Sequence, residues 1–135
     1  MTEGQPLVYL TVGEVIEFNR EILRRAGQSP SVVRDLGLLQ SALQRPQNAA
    51  YYEGADVITQ AALYMVGVAL NHPFVDGNKR TGYVAGMTFL LVNGRVNMSP
   101  SLNDLQMGVW LEEAVRRVIS FDDFVTRLRA RLDTL

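Results

Sequence analysis

The single histidine and the single lysine of this chain stand seven positions apart in one stretch, Asn71-His72-Pro73-Phe74-Val75-Asp76-Gly77-Asn78-Lys79-Arg80-Thr81-Gly82. An imidazole ordinarily titrates at about 6.5, near working pH, so His72 suits the task of taking a proton from an incoming hydroxyl. Lys79 and Arg80 bring positive charge, and a guanidinium can grip a phosphate through two parallel hydrogen bonds. Gly77 lets the backbone come close to an anion, and Asn78 carries an amide donor. Asp76 beside such a cluster repels an anion unless a cation stands between them. A carboxylate together with phosphate oxygens is the usual coordination of Mg²⁺. Base, metal ligand and anion clamp are the recurring parts of a phosphoryl-transfer site.

Each of these residues also has a plain structural use. A histidine ending an apolar helix commonly caps it, Asp76-Gly77-Asn78 is an ordinary turn, and a Lys-Arg pair is mostly solvated. Their concentration in one short loop is what argues for chemistry. Phe74 reads as an apolar plug that pins the loop to the core. Pro73 is expected to hold His72 in extended geometry and so to end the preceding helix.

Two apolar helices must carry this loop. Val57 to Leu70 is apolar on nearly all sides, which a surface helix would not tolerate, so it should run through the middle of the fold and deliver His72 at its carboxyl end. Residues 80–92 form a second central helix, opening between Gly77 and Arg80. Gly82, Ala85 and Gly86 permit close packing, and Asn93-Gly94 is a stop. The first amides of that helix lack intrahelical partners, and they and the helix dipole favour an anion at the motif.

Around this pair the spacing predicts four more helices. Thr11 with Glu14 is a capping box that opens a helix over 12–26. After a loop over 27–31 containing Pro30, Asp35 caps a short helix over 36–45 that Pro46 should end. Residues 47–54, with Tyr51 and Tyr52, show neither period and read as a loop or a small hairpin. Ser101 or Asn103 caps a helix through Val109, Trp110, Ala114 and Val118, and Ser120 with Asp123 caps a last one through Leu132. The fold class is all-α. Arg127, Arg129 and Arg131 spread over about 200° of helix azimuth, so they read as a solvated face.

Composition narrows the function classes. A chain of 135 residues, 47% apolar and 20% charged, fits one globular domain over 1–135. A formal charge of -1 offers no field for a polyanion, so nucleic acid is not expected as the principal ligand. Without cysteine there is no disulfide, thiolate nucleophile or thiolate metal site. No signal peptide is read at the start, and the most apolar run, about 14 residues, is too short for a bilayer. A cytoplasmic protein is expected.

The run His72-Pro73-Phe74-Val75-Asp76-Gly77-Asn78-Lys79-Arg80 resembles the signature of the Fic and Doc proteins, in its Doc (death-on-curing) form. The segments from Arg34 through Arg45-Pro46 and up to Gly94 are similar to Doc-type chains as well. The resemblance implies a single-domain helical Fic/Doc fold and a toxin with protein kinase activity. Such a toxin uses ATP and Mg²⁺ to transfer the γ-phosphate to a threonine of elongation factor Tu, which halts translation. By the same resemblance His72 activates the acceptor hydroxyl, Asp76 holds Mg²⁺, and Gly77, Asn78, Lys79 and Arg80 bind the nucleotide phosphates. A substrate-aligning flap falls at Gln47 to Gly54.

AMP-transferring Fic proteins have a glycine where Lys79 stands and a second arginine where Tyr83 stands. Transfer of AMP is therefore the alternative, and a non-enzymatic co-repressor that binds an antitoxin is another. Many Fic proteins are restrained by an internal helix with Ser or Thr four positions before Glu. No glutamate here has that neighbour, and the resemblance implies a separate, Phd-like antitoxin as partner.

Overall fold

The structure is a computed structural model that describes residues 6–29, 32–96 and 104–134. Helix α1, Val12–Arg25, opens with the expected capping box: Thr11 Oγ1 accepts from the Glu14 amide at 3.2 Å, and Glu14 Oε1 accepts from the Thr11 amide at 2.8 Å. Helix α2, Leu36–Glu53, is capped by Asp35, and α3, Val57–Asn71, by Asp56, whose carboxylate accepts from the Thr59 amide at 2.8 Å. Helix α4 is Asn78–Val92, α5 is Leu105–Val115, and α6 is Phe121–Leu132 behind the Ser120 cap. The described residues hold no strand, only an isolated bridge between Val33 and Phe74. No helix among them is long and apolar enough to cross a membrane.

The centre is the α3–α4 pair, with α2 on α3, α1 on α4, and α5 and α6 against the rest. The two central backbones nearly touch. A β-carbon at Gly82 would stand 2.5 Å from the Met65 carbonyl oxygen, and one at Gly86 2.7 Å from that of Ala61. Fully buried Tyr64, Met65, Phe89, Leu90, Phe124 and Leu128 fill the space around this crossing. Burying a large apolar side chain contributes about 1.5–3 kcal/mol, so the packed interior rather than helix propensity holds these elements.

Several expectations need correction. The short helix over 36–45 does not stop at Pro46, and no hairpin flap forms over 47–54: α2 runs on to Glu53, and Gly54 closes it in the left-handed conformation (φ 68°). A proline inside a helix removes one hydrogen bond and costs about 3 kcal/mol. Here burial of Pro46 and Ala49 on the core face, the Gly54 amide bonding to the Ala49 carbonyl, and the Arg45–Glu53 pair at 3.1 Å offset that loss.

His72 is not extended. It sits at φ 48°, ψ 52°, the left-handed cap of α3, where the chain turns sharply into Pro73. The helix expected to continue to Val118 ends at Val115, with Arg117 at φ 61°. Its cap is Asp104, accepting from the Met107 amide at 3.1 Å, whereas Ser101 and Asn103 lie outside the described residues. The three late arginines are not merely solvated: Arg127 lies near Glu113 and over Trp110, Arg129 pairs with Asp56, and Arg131 with Asp104.

Candidate functional site

The motif forms the turn between α3 and α4, and it is clamped from three sides. From below, Phe74 is 1% exposed and anchors the loop in the core, as its apolar character suggested. From one flank, the strap before α2 pairs with it: the Arg34 and Asp35 amides donate to the Pro73 carbonyl at 2.6 and 3.1 Å, and the Val75 amide donates to the Val32 carbonyl at 3.3 Å. The Arg34 guanidinium donates twice to the His72 carbonyl, at 2.9 and 2.7 Å, which holds the left-handed turn. From α1, buried Asn19 donates to the Asp76 carbonyl at 2.9 Å and to Thr81 Oγ1 at 3.1 Å.

Asn78 fixes the loop from inside. Its Oδ1 accepts from the Phe74 amide at 2.9 Å, and its Nδ2 donates to the Phe74 carbonyl at 2.9 Å. That pair sets the orientation of the amide, and Nδ2 also faces His72 Nδ1 at 3.2 Å. With Nδ1 accepting, the neutral ring carries its proton on Nε2. For Nε2 to take a proton from a hydroxyl, this contact must open and the other tautomer form, and the exposed ring has room to turn. The side chain of Asn78 thus serves the loop.

Gly77 adopts φ 77°, which favours glycine, and packs so closely that a β-carbon would lie 3.1 Å from Asn19 Nδ2. Its amide donates to Asp76 Oδ1 at 2.7 Å, so the exposed Asp76 carboxylate is held at the rim of the turn. Lys79 is also exposed and pairs with Glu112 of α5 at 2.6 Å; this bond holds the Glu112 carboxyl below its ordinary range. His72, Asp76, Gly77, Asn78, Lys79, Arg80 and Glu112 line one pocket of about 450 Å³. Every predicted site residue is therefore in one place. Burial, and then Asp104, pushes the neighbouring Tyr83 hydroxyl up to about 12, so that position carries no charge at neutral pH.

Glu112, Arg34 and Asn19 were not found by reading the motif. Asn19 left a signal, being the polar residue on the apolar stripe of Val15, Ile22 and Leu23. Arg34 and Glu112 left none beyond being charged.

The site is thus a helix-borne loop that places a histidine, an acid and two cations together at a helix amino terminus. A sequence model described as the Fic/DOC family matches residues 9–90, more than half of the chain and all of the motif, and the chain belongs to that family. Over 66 residues it is 47% identical to Toxin Doc of Mycolicibacterium smegmatis (strain ATCC 700084 / mc(2)155), covering 46% of this chain and 49%, about half, of that protein. Over 102 residues it is 34% identical to Protein kinase doc of Escherichia phage P1, covering 74% of this chain and 80% of that protein. Within the family it is thus of the Doc type.

Proposed function

We propose that this chain, taken as one Fic/Doc domain over 1–135, is a Doc-type toxin that transfers the γ-phosphate of ATP to a threonine hydroxyl of elongation factor Tu and so stops translation. The observation that carries the reading is the shared pocket: a histidine, an exposed carboxylate and two cations face one cavity at the amino terminus of α4. The relative named as a protein kinase, and the one named as a toxin, support it. Tyr83 supports transfer of phosphate over AMP, because an uncharged buried phenol stands where AMP transfer would call for an arginine. A separate antitoxin of the Phd kind restrains the toxin, in a cytoplasmic setting.

His72 accepts the proton of the acceptor hydroxyl, and the α4 amides with Lys79 and Arg80 hold the phosphates. The described residues contain no group of three acidic, histidine or cysteine side chains that could hold a metal. Asp76 is the loop's carboxylate that would hold Mg²⁺, an ion usually bound by one or two carboxylates together with substrate phosphates. When bound, the ion would offset the negative charge of the phosphates.

The test is phosphorylation of purified elongation factor Tu with Mg²⁺ and ATP by the chain and by its His72→Ala variant. The chain should place phosphate on a threonine, and the variant should be slower by about 10²–10⁴-fold, the usual worth of a general base. The variant should keep its melting temperature, because the ring is exposed. Equal transfer by both proteins would remove His72 from the mechanism.

A further inference from the structure

We propose that Arg34 is a positioning residue for the transfer reaction: its guanidinium keeps His72 in the left-handed turn that carries the imidazole over the start of α4. The inference rests on the reading of His72 as the base in the proposed function.

The backbone at His72 is in a conformation that its own sequence disfavours. The left-handed region, here φ 48° and ψ 52°, suits glycine or asparagine at the end of a helix, and a histidine side chain crowds the backbone there. Pro73, which follows, favours extended geometry in the residue before it. Conformations of this kind persist only where the surroundings over-determine them, and they gather at functional sites. The turn is also what aims the ring. It places His72 Nδ1 3.2 Å from Asn78 Nδ2, in the pocket shared with Asp76, Lys79 and Arg80. Extended φ and ψ at His72 would redirect the ring with respect to both central helices.

Arg34 holds that turn from the strap before α2. Its Nε and Nη2 donate to the His72 carbonyl at 2.9 and 2.7 Å, and Nη2 reaches the Asn71 carbonyl at 3.4 Å. Two donors from one planar group fix the direction of a carbonyl as well as its distance. The direction of the His72 carbonyl is the ψ angle of His72, so the grip acts on the very torsion that is strained. An exposed arginine ordinarily turns to a carboxylate or to water. Among the described residues no carboxylate pairs with Arg34, and its donors go to backbone carbonyls instead. The strap itself is anchored separately: the Arg34 and Asp35 amides donate to the Pro73 carbonyl, and Asn71 Nδ2 donates to the Leu38 carbonyl at 2.9 Å. Those bonds remain when the Arg34 side chain is removed.

The plain alternative is that Arg34 only caps the carboxyl end of α3, where any cation is favourable. A cap acts on stability, and a lysine would serve. A two-donor grip on one carbonyl acts on the geometry of His72 and needs a guanidinium.

The test is the rate of transfer to saturating elongation factor Tu at varied ATP by the native chain, Arg34→Ala, Arg34→Lys and His72→Ala. Arg34→Ala should lose about 10–10²-fold in kcat, the scale of a slightly misplaced catalytic group. Its KM for ATP should stay native, because Asn19 and Asn78 rather than Arg34 brace the residues assigned to the phosphates. Arg34→Lys should recover only part of the loss. Free guanidinium at non-denaturing concentrations should restore kcat to Arg34→Ala and not to His72→Ala. The chain has one histidine, so its ring gives the only imidazole signal in NMR, and that signal should shift in Arg34→Ala and return with guanidinium. Native kcat in Arg34→Ala or in Arg34→Lys, or a raised KM with kcat unchanged, overturns the positioning role and leaves His72 as the base. Absence of transfer by the native chain overturns the kinase reading, and the positioning role with it.

Discussion

At the scale of the residue, the motif divides its labour between side chains that face outward and side chains that hold the loop. His72, Asp76, Lys79 and Arg80 are exposed, whereas Asn78 is buried and spends its amide on Phe74 and His72. Asn78→Ala leaves a buried amide and carbonyl of Phe74 without their partner. It should cost about 1–3 kcal/mol in a denaturant titration, and it should reduce transfer as well because the loop that carries His72 loses its internal brace. Unchanged stability would mean that the loop is held without it.

The Lys79–Glu112 pair behaves differently, since both side chains are nearly half exposed and the bond is worth at most about 1 kcal/mol. Because the Glu112 carboxyl lies below its ordinary value, the pair is complete above the ordinary carboxylate range and is lost as the pH falls through the folded value. Glu112→Gln should therefore melt slightly below the native chain at neutral pH, and the two melting curves should converge on acidification. A gap that widens in acid would contradict the pairing.

At the scale of the element, the site stands where it does because α3 and α4 cross at glycines. Gly82→Ala should drive a methyl group to within 2.5 Å of a backbone oxygen that cannot turn aside. A loss of about 1–3 kcal/mol is expected in chemical denaturation, and a neutral result would mean the crossing is looser than described. The crossing was legible beforehand, since Gly82, Ala85 and Gly86 recur on one side of an apolar helix. So were the starts of α1, α2 and α6, where the capping residues act within three positions. Residues 47–53 were not legible. The rule that proline ends a helix is local, and what overrides it at Pro46 is burial against α3, which no local pattern carries. His72 was misread for a related reason: the residue before a proline favours extended backbone, but the Arg34 guanidinium holds its carbonyl from 38 positions away in sequence.

At the scale of the whole molecule, the nine-residue motif is sufficient to name the family, but it takes distant parts of the chain to make it a site. Asn19 reaches it across 57 positions and Glu112 across 33. Those supports are long-range polar contacts with no periodic signature, so only the folded chain reveals them. The residue set at the loop is consistent with the proposed chemistry on a phosphate, and the uncharged Tyr83 supports the proposed transfer of phosphate over AMP. The most direct measurement is a pair of transfer reactions on elongation factor Tu with Mg²⁺, one with ATP labelled at the γ-phosphate and one labelled at the α-phosphate. Label is expected on the protein from the γ position alone. Label from the α position would contradict it, and would show that the uncharged Tyr83 and the presence of Lys79 do not exclude transfer of AMP.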